Sequence, residues 1–121
     1  MAEKLVIMVT HGPEDPERAT IPFVLATAAQ ASDVEAVLGF QAEGVLLVKK
    51  GVAEGIQAPD FPPLKTLMDA YIEAGGKMLA CGPCVKSRKL NPETDFVAGA
   101  KVANAAAFVK EITEATNAMV Y

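Results

Sequence analysis

Leu64 to Cys84 reads LKTLMDAYIEAGGKMLACGPC, and its order of elements decides the fold class. Leu64, Leu67, Met68, Tyr71 and Ile72 recur at i, i+3, i+4, i+7 and i+8, the stripe of an amphipathic helix. Gly75-Gly76 follows, the glycine ending such a helix favours. Lys77 to Ala80 (KMLA) then reads as a short strand, with Cys81 at its close. Gly82 to Leu90 reads as a second, shorter helix, stopped by Asn91-Pro92. A helix feeding a strand that feeds a helix is the repeating unit of a parallel sheet covered on its faces.

The same alternation extends in both directions. Lys4 to Thr10 (KLVIMVT) is an apolar, β-branched run, the pattern of a strand buried on both faces. Asp15-Pro16-Glu17 is a helix start: Asp15 as N-cap, Pro16 at the first helical position, Glu17 near the positive end. Ile21, Val24, Leu25 and Ala28 continue it, with Pro22 predicting a kink or a delayed start. Val34 to Phe40 (VEAVLGF) reads as a second strand. Gly44 to Lys50 fits a strand or a short helix stopped by Gly51, and its position after a strand favours the helix. Gly51 to Pro63 is loop. Toward the end, Ala100 to Ala103 is a strand and Asn104 an N-cap. Phe108, Val109, Ile112 and Ala115 mark a helix, and Ala118 to Tyr121 a last strand.

The chain has 121 residues, enough for one domain spanning 1–121 with a core of its own. Half of it (51%) is hydrophobic, which excludes a disordered or polar tail. A net charge of -4 without a basic stripe argues against nucleic acid as partner. No apolar run reaches the roughly 18 residues of a membrane span. Met1-Ala2-Glu3-Lys4 leads straight into the first strand without a signal-peptide pattern, so the expected compartment is the cytoplasm. In the cytoplasm two cysteines point to catalysis or metal binding before a structural disulfide.

Those cysteines form the turn Cys81-Gly82-Pro83-Cys84. A cysteine between a strand end and a helix start meets unpaired N–H groups that stabilise an anion, and the thiolate is the nucleophilic form. Lys86, Arg88 and Lys89 follow, a local basic cluster in an acidic chain. Two thiols spaced Cys-x-x-Cys also permit a reversible disulfide, and Gly-Pro is the inner pair of thioredoxins, whose tryptophan is missing here. The plain alternative is that both cysteines are small buried residues. In parallel sheets ligands bind at the carboxyl ends of strands. His11, Gln41 to Glu43 and Cys81 all fall there. His11, the only histidine, is a candidate to orient a ligand or carry a proton, or simply a loop residue bonded to backbone. Two cysteines and one histidine lack a standard metal spacing, so no metal site is expected. Neither a dinucleotide fingerprint nor a phosphate loop is present, so no cofactor is expected.

Three stretches together resemble the DsrE/DsrF-like (YchN-like) family of small sulfur-relay proteins. They are Thr10 to Ala19 after the first strand, Glu43 to Gly51 after the second, and Cys81 closing the third strand ahead of a helix containing Arg88. The resemblance spans nearly the whole chain. It implies a three-layer α/β/α, flavodoxin-like fold with a mostly parallel sheet of about five strands, assembled as trimers or hexamers. It further implies that Cys81 accepts sulfur as a persulfide and passes it on, with Arg88 at a basic position of the following helix. Cys84, and Leu90 where a glycine follows the basic pair, depart from the relay pattern.

The reading that results is a sulfur carrier, or sulfurtransferase-like protein, working on Cys81 with Cys84 to resolve the persulfide. His11, Gln41, Lys86 and Arg88 would line the site or stabilise the anion. Its partners would be sulfur donor and acceptor proteins or small thiols. A dithiol redox protein using both cysteines, and a non-enzymatic oligomeric binding subunit, are the rival readings.

Overall fold

A computed structural model describes residues 3–121; Met1 and Ala2, on which the cytoplasmic expectation partly drew, lie outside the described residues. Five strands, β1 (Lys4–Val9), β2 (Glu35–Phe40), β3 (Lys77–Cys81), β4 (Ala100–Ala103) and β5 (Asn117–Val120), form one sheet in the order β4-β3-β2-β1-β5. Every pairing between them is parallel. The helices are α1 (Pro16–Ala31), α2 (Leu64–Glu73), α3 (Gly82–Ser87) and α4 (Ala105–Glu114). The chain steps from β1 through β4 in one direction across the sheet, then α4 carries it back to β5 beside β1. Right-handed crossovers therefore put α1 and α2 on one face and α4 on the other, which is the three-layer α/β/α sandwich expected.

The two faces are unequally filled. On the α1/α2 side Phe23, Phe40, Leu47, Leu64, Met68, Tyr71 and Met78 are sealed from solvent in one continuous core. The α4 side holds a small cluster of Val6, Met8, Val37, Ala103 and Phe108. At roughly 25 cal/mol per Å² of apolar surface removed from water, the first face carries most of the hydrophobic stabilisation.

Three helices close with the same hydrogen-bond pattern, in which the N–H two residues past the cap reaches back five residues. The bonds are Val34 to Ala29 at 2.8 Å, Gly76 to Tyr71 at 2.9 Å and Leu90 to Val85 at 3.1 Å. The motif needs a left-handed residue just before the donor. Gly75 takes that backbone at φ +85°, and Asp33 and Lys89 take it at 60° and 57° despite carrying side chains. Gly76 answers a different demand: a Cβ there would overlap the Tyr71 ring. Tyr71 uses that space to bring its hydroxyl to the carbonyls of Ala36 (3.0 Å) and Lys77 (2.6 Å). Burial pushes its pKa up, so it stays a neutral donor.

Several expectations are corrected. Pro22 neither delays nor interrupts α1, which starts at Pro16 under the Asp15 cap and runs to Ala31. The missing N–H leaves only the carbonyl of Arg18 without its helical donor, on an exposed residue. The stretch expected as a helix over Gly44 to Lys50 is a 3₁₀ helix over Ala42–Val48. Beyond it Lys49 pairs antiparallel with Phe96, outside the parallel sheet. The expected loop from Gly51 to Pro63 contains a 3₁₀ turn, Ala53–Gly55. The helix expected from Gly82 to Leu90 ends at Ser87, because Lys89 turns left-handed and lets Leu90 join Val85 in the core.

Candidate functional site

The carboxyl ends of β1, β2 and β3 are neighbours, so the segments that follow them meet at one rim of the sheet. Two glycines let them meet closely. A Cβ on Gly12 would overlap the carbonyl oxygen of Glu43, and one on Gly44 would overlap that of Val9. The loop after β1 and the 3₁₀ helix after β2 are thus backbone against backbone. Gln41 begins the 3₁₀ helix, and its N–H donates to Val9 O at 2.9 Å.

Cys81 ends β3 and caps α3, while Cys84 sits on the first turn of that helix. Both are free thiols, each half-buried. The Ala42 N–H donates to Cys84 Sγ at 3.3 Å. Ala42 holds that amide in place with a left-handed backbone, φ 52°. An L-residue with a Cβ pays about 1–2 kcal/mol for such a conformation.

Arg88, the C-cap of α3, reaches back over the same region. Its Nε and Nη2 both donate to Glu43 Oε1, at 3.0 and 2.8 Å. Its Nη1 donates to the Cys84 carbonyl at 3.2 Å and to Ser87 Oγ at 3.1 Å.

These surroundings separate the two sulfurs. For Cys84, burial opposes ionisation. The hydrogen bond from the Cys81 thiol, the Ala42 N–H and the Arg88 charge outweigh it and lower its pKa. For Cys81, burial raises the pKa, and sharing its proton with Cys84 raises it further, against a smaller opposing pull from Arg88. The surroundings favour ionisation of Cys84 over Cys81, and the Ala42 N–H is the donor that points at the Cys84 sulfur.

The other expected residues fall into place unequally. His11 pairs with its own loop: Nδ1 lies 2.9 Å from Glu14 Oε2, and the Gly12 N–H donates to Glu14 Oε1 at 2.7 Å. Burial would raise the Glu14 pKa, but His11 and that N–H hold it below the usual range. Lys86 is exposed on α3. Neither His11 nor Lys86 is among the groups that shift the sulfurs; Arg88 is the cation that does. Glu43 and Ala42 complete the site. The stretch Gln41 to Glu43 is marked by its place just past a strand end, but the left-handed backbone of Ala42 and the pairing of Glu43 with Arg88 have no sequence signal. Among the described residues no cluster of three or more His, Cys, Asp or Glu side chains could hold a metal ion. No helix among them is long and apolar enough to cross a membrane.

A groove of about 340 Å³ opens at the opposite, amino-terminal end of the sheet, lined by Lys4, Leu5, Leu25, Ala28 and Thr116 among others. It lies away from both sulfurs.

Comparison with known proteins agrees with the fold. An uncharacterized protein of Methanopyrus kandleri is 31% identical over 118 residues, covering 97% of this chain and 93% of its own length. A second uncharacterized protein, from Methanocaldococcus jannaschii, is 34% identical over 112 residues, covering 89% of this chain and 93% of its own. Among solved structures, the YchN protein of E. coli superposes with a TM-score of 0.81 at 14% identity, covering 98% of this chain and 99% of its own. A protein of unknown function from Methanobacterium thermoautotrophicum gives 0.76 at 13%, covering 97% and 98%. At such identities the two structures speak for the fold alone. The family model described as DsrE/DsrF-like matches residues 3–121, and the chain belongs to that family.

Proposed function

We propose that this protein carries sulfane sulfur on its cysteine pair, with Cys84 making the first attack. Membership of the DsrE/DsrF-like family supports a role related to sulfur relay. The observation that carries the reading is the Cys84 sulfur, which accepts the Ala42 N–H while Arg88 sits on the Cys84 carbonyl. A thiolate held this way attacks the outer sulfur of a donor persulfide. The donor's S–S bond breaks, a new S–S bond forms on Cys84, and the donor leaves as a thiol with the proton. The adjacent Cys81 can then take the outer sulfur by the same exchange, returning its proton to Cys84. That step links the anion favoured on Cys84 to the persulfide that the family resemblance implies for Cys81. No net oxidation occurs in either step. An acceptor thiol removes the sulfur by the reverse chemistry.

Donors and acceptors in this reading are persulfide-bearing proteins or small thiols in the cytoplasm. Exposed apolar residues on α4 and β5, Val109, Ile112 and Val120, support a working homo-oligomer.

The test is intact mass after incubation with glutathione persulfide. Wild type gains one sulfur per chain, Cys84→Ser loses at least nine-tenths of that gain (roughly tenfold, on the order of 1.4 kcal/mol), and Cys81→Ser still loads at Cys84. An adduct undiminished in Cys84→Ser ends the assignment. A second reading, dithiol redox exchange, is favoured by two free thiols placed three residues apart at the start of α3. It requires a reversible loss of two hydrogens, and full reductase activity in Cys84→Ser rules it out.

A further inference from the structure

Glu43 takes no part in the sulfur exchange, yet its carboxylate accepts two of the Arg88 N–H groups on one oxygen. An arginine side chain at a helix end has many rotamers and open solvent within reach, so holding it in one place needs partners. Here the guanidinium is tied on both sides. Cys84 O and Ser87 Oγ hold one nitrogen from within α3, and Glu43 holds the other two from the 3₁₀ helix. The result is a fixed cation, with its side chain only 26% exposed, beside a turn that carries two thiols.

We propose that Glu43 is a positioning residue: its carboxylate holds the Arg88 guanidinium at the cysteine turn and, through it, controls the reactivity of the thiols there. The proposal rests on the reading of Cys81 and Cys84 as the reactive pair. Two opposite effects compete. The negative charge of Glu43 disfavours a thiolate directly, while its grip on Arg88 favours one. The guanidinium lies between the carboxylate and the turn, with Nε and Nη2 on Glu43 and Nη1 on the Cys84 carbonyl, so the grip on Arg88 is the effect that reaches the cysteines first. The groups facing Cys84 are then the Cys81 thiol from β3, the Ala42 N–H from the 3₁₀ helix and Arg88 from its own helix, with Glu43 behind the arginine.

The experiment measures the iodoacetamide alkylation rate against pH at each cysteine separately, by peptide mass. The variants are Glu43→Ala, Glu43→Gln, Arg88→Gln and the double variant Glu43→Ala/Arg88→Gln. Arg88→Gln should raise the Cys84 midpoint by about half a pH unit, the scale of a partly exposed charge interaction. Glu43→Ala should reproduce most of that rise. Glu43→Gln keeps an acceptor oxygen for Nε and Nη2 and should restore the wild-type profile. The double variant should match Arg88→Gln alone, since one residue acts through the other. A lowered Cys84 midpoint in both Glu43 variants would mean that the carboxylate acts by its charge, and the proposal fails. Additive shifts in the double variant also overturn it. A purely structural role would lower the unfolding temperature and leave the midpoints in place, which overturns it as well. Should Glu43→Ala not fold, the Glu43→Gln and Arg88→Gln profiles decide: Glu43→Gln must stay at wild type while Arg88→Gln rises. Alkylation requires no sulfur donor, so a failed sulfur-loading assay alongside these shifts would remove the carrier reading and keep the positioning role.

Discussion

The two ends of the sheet both carry ion pairs, and they use them differently. At the amino ends of the strands, Glu111 of α4 lies between Lys4 of β1 (2.5 Å) and Lys77 of β3 (2.8 Å). Lys4 and Glu111 are each only 13% exposed at the side chain. These charges pair with one another and pin α4, the helix of the thin face, across β2. At the carboxyl ends, Arg88 and Glu43 also satisfy one another, but beside two thiols, a left-handed alanine and two glycines that allow no Cβ. The lesson is that charge alone does not mark a reactive site. What distinguishes the carboxyl end is backbone held under constraint so that an amide faces a sulfur.

The hardest blow to that contrast is Gly44→Ala. The added methyl has backbone, not a flexible side chain, in its way. We expect a loss of about 3 kcal/mol in denaturant unfolding. An unchanged midpoint would show that the rim gives way and is not rigid.

Glu111→Gln probes the other end. It removes the charge between two lysines and should cost about 2 kcal/mol, while the alkylation profiles of Cys81 and Cys84 stay as in wild type. A shifted profile would mean that the two ends communicate. The pH dependence follows from the same residue. Burial would raise the Glu111 pKa, but Lys4 and Lys77 outweigh it and hold it below the usual 4.5. The carboxylate therefore contributes stability above about pH 4.5, and that contribution is lost as pH falls through the lowered native value. Wild type should lose stability more steeply than Glu111→Gln across that acid range.

His11→Ala should have the smallest effect. The His11–Glu14 pair is largely exposed and sits within one loop. We expect a stability change under about 0.5 kcal/mol and no movement in either cysteine profile. A raised Cys84 midpoint would bring His11 back into the site.

Much of the scaffold was legible from local chemistry. The apolar runs located β1 and β2, and the stripe from Leu64 to Ile72 located α2, each to within a residue or two of the observed bounds. Asp15 and Asn104 cap their helices through side-chain oxygens, as their positions suggested. Pro22 does not delay the start of α1, which begins at Pro16. The 3₁₀ helix was half visible: a turn after a strand was clear, its tighter winding and earlier start were not. The site divides in the same way. Cys81, Cys84 and Arg88 sit close in sequence, so their proximity could be read from spacing. Glu43 joins Arg88 across 45 positions, and the order of the two thiol pKa values depends on an amide 42 positions away from Cys84. Pairings of that range follow from which strands lie side by side, and no local pattern encodes them.

Ala42 has a last consequence. Alanine at φ 52° is a standing cost that glycine at the same position would largely remove. The usual recipe for making a protein withstand heat, easing its least comfortable residues, would therefore select this one early. It would also loosen the amide that faces Cys84. Endurance and reactivity are set against each other at a single methyl group.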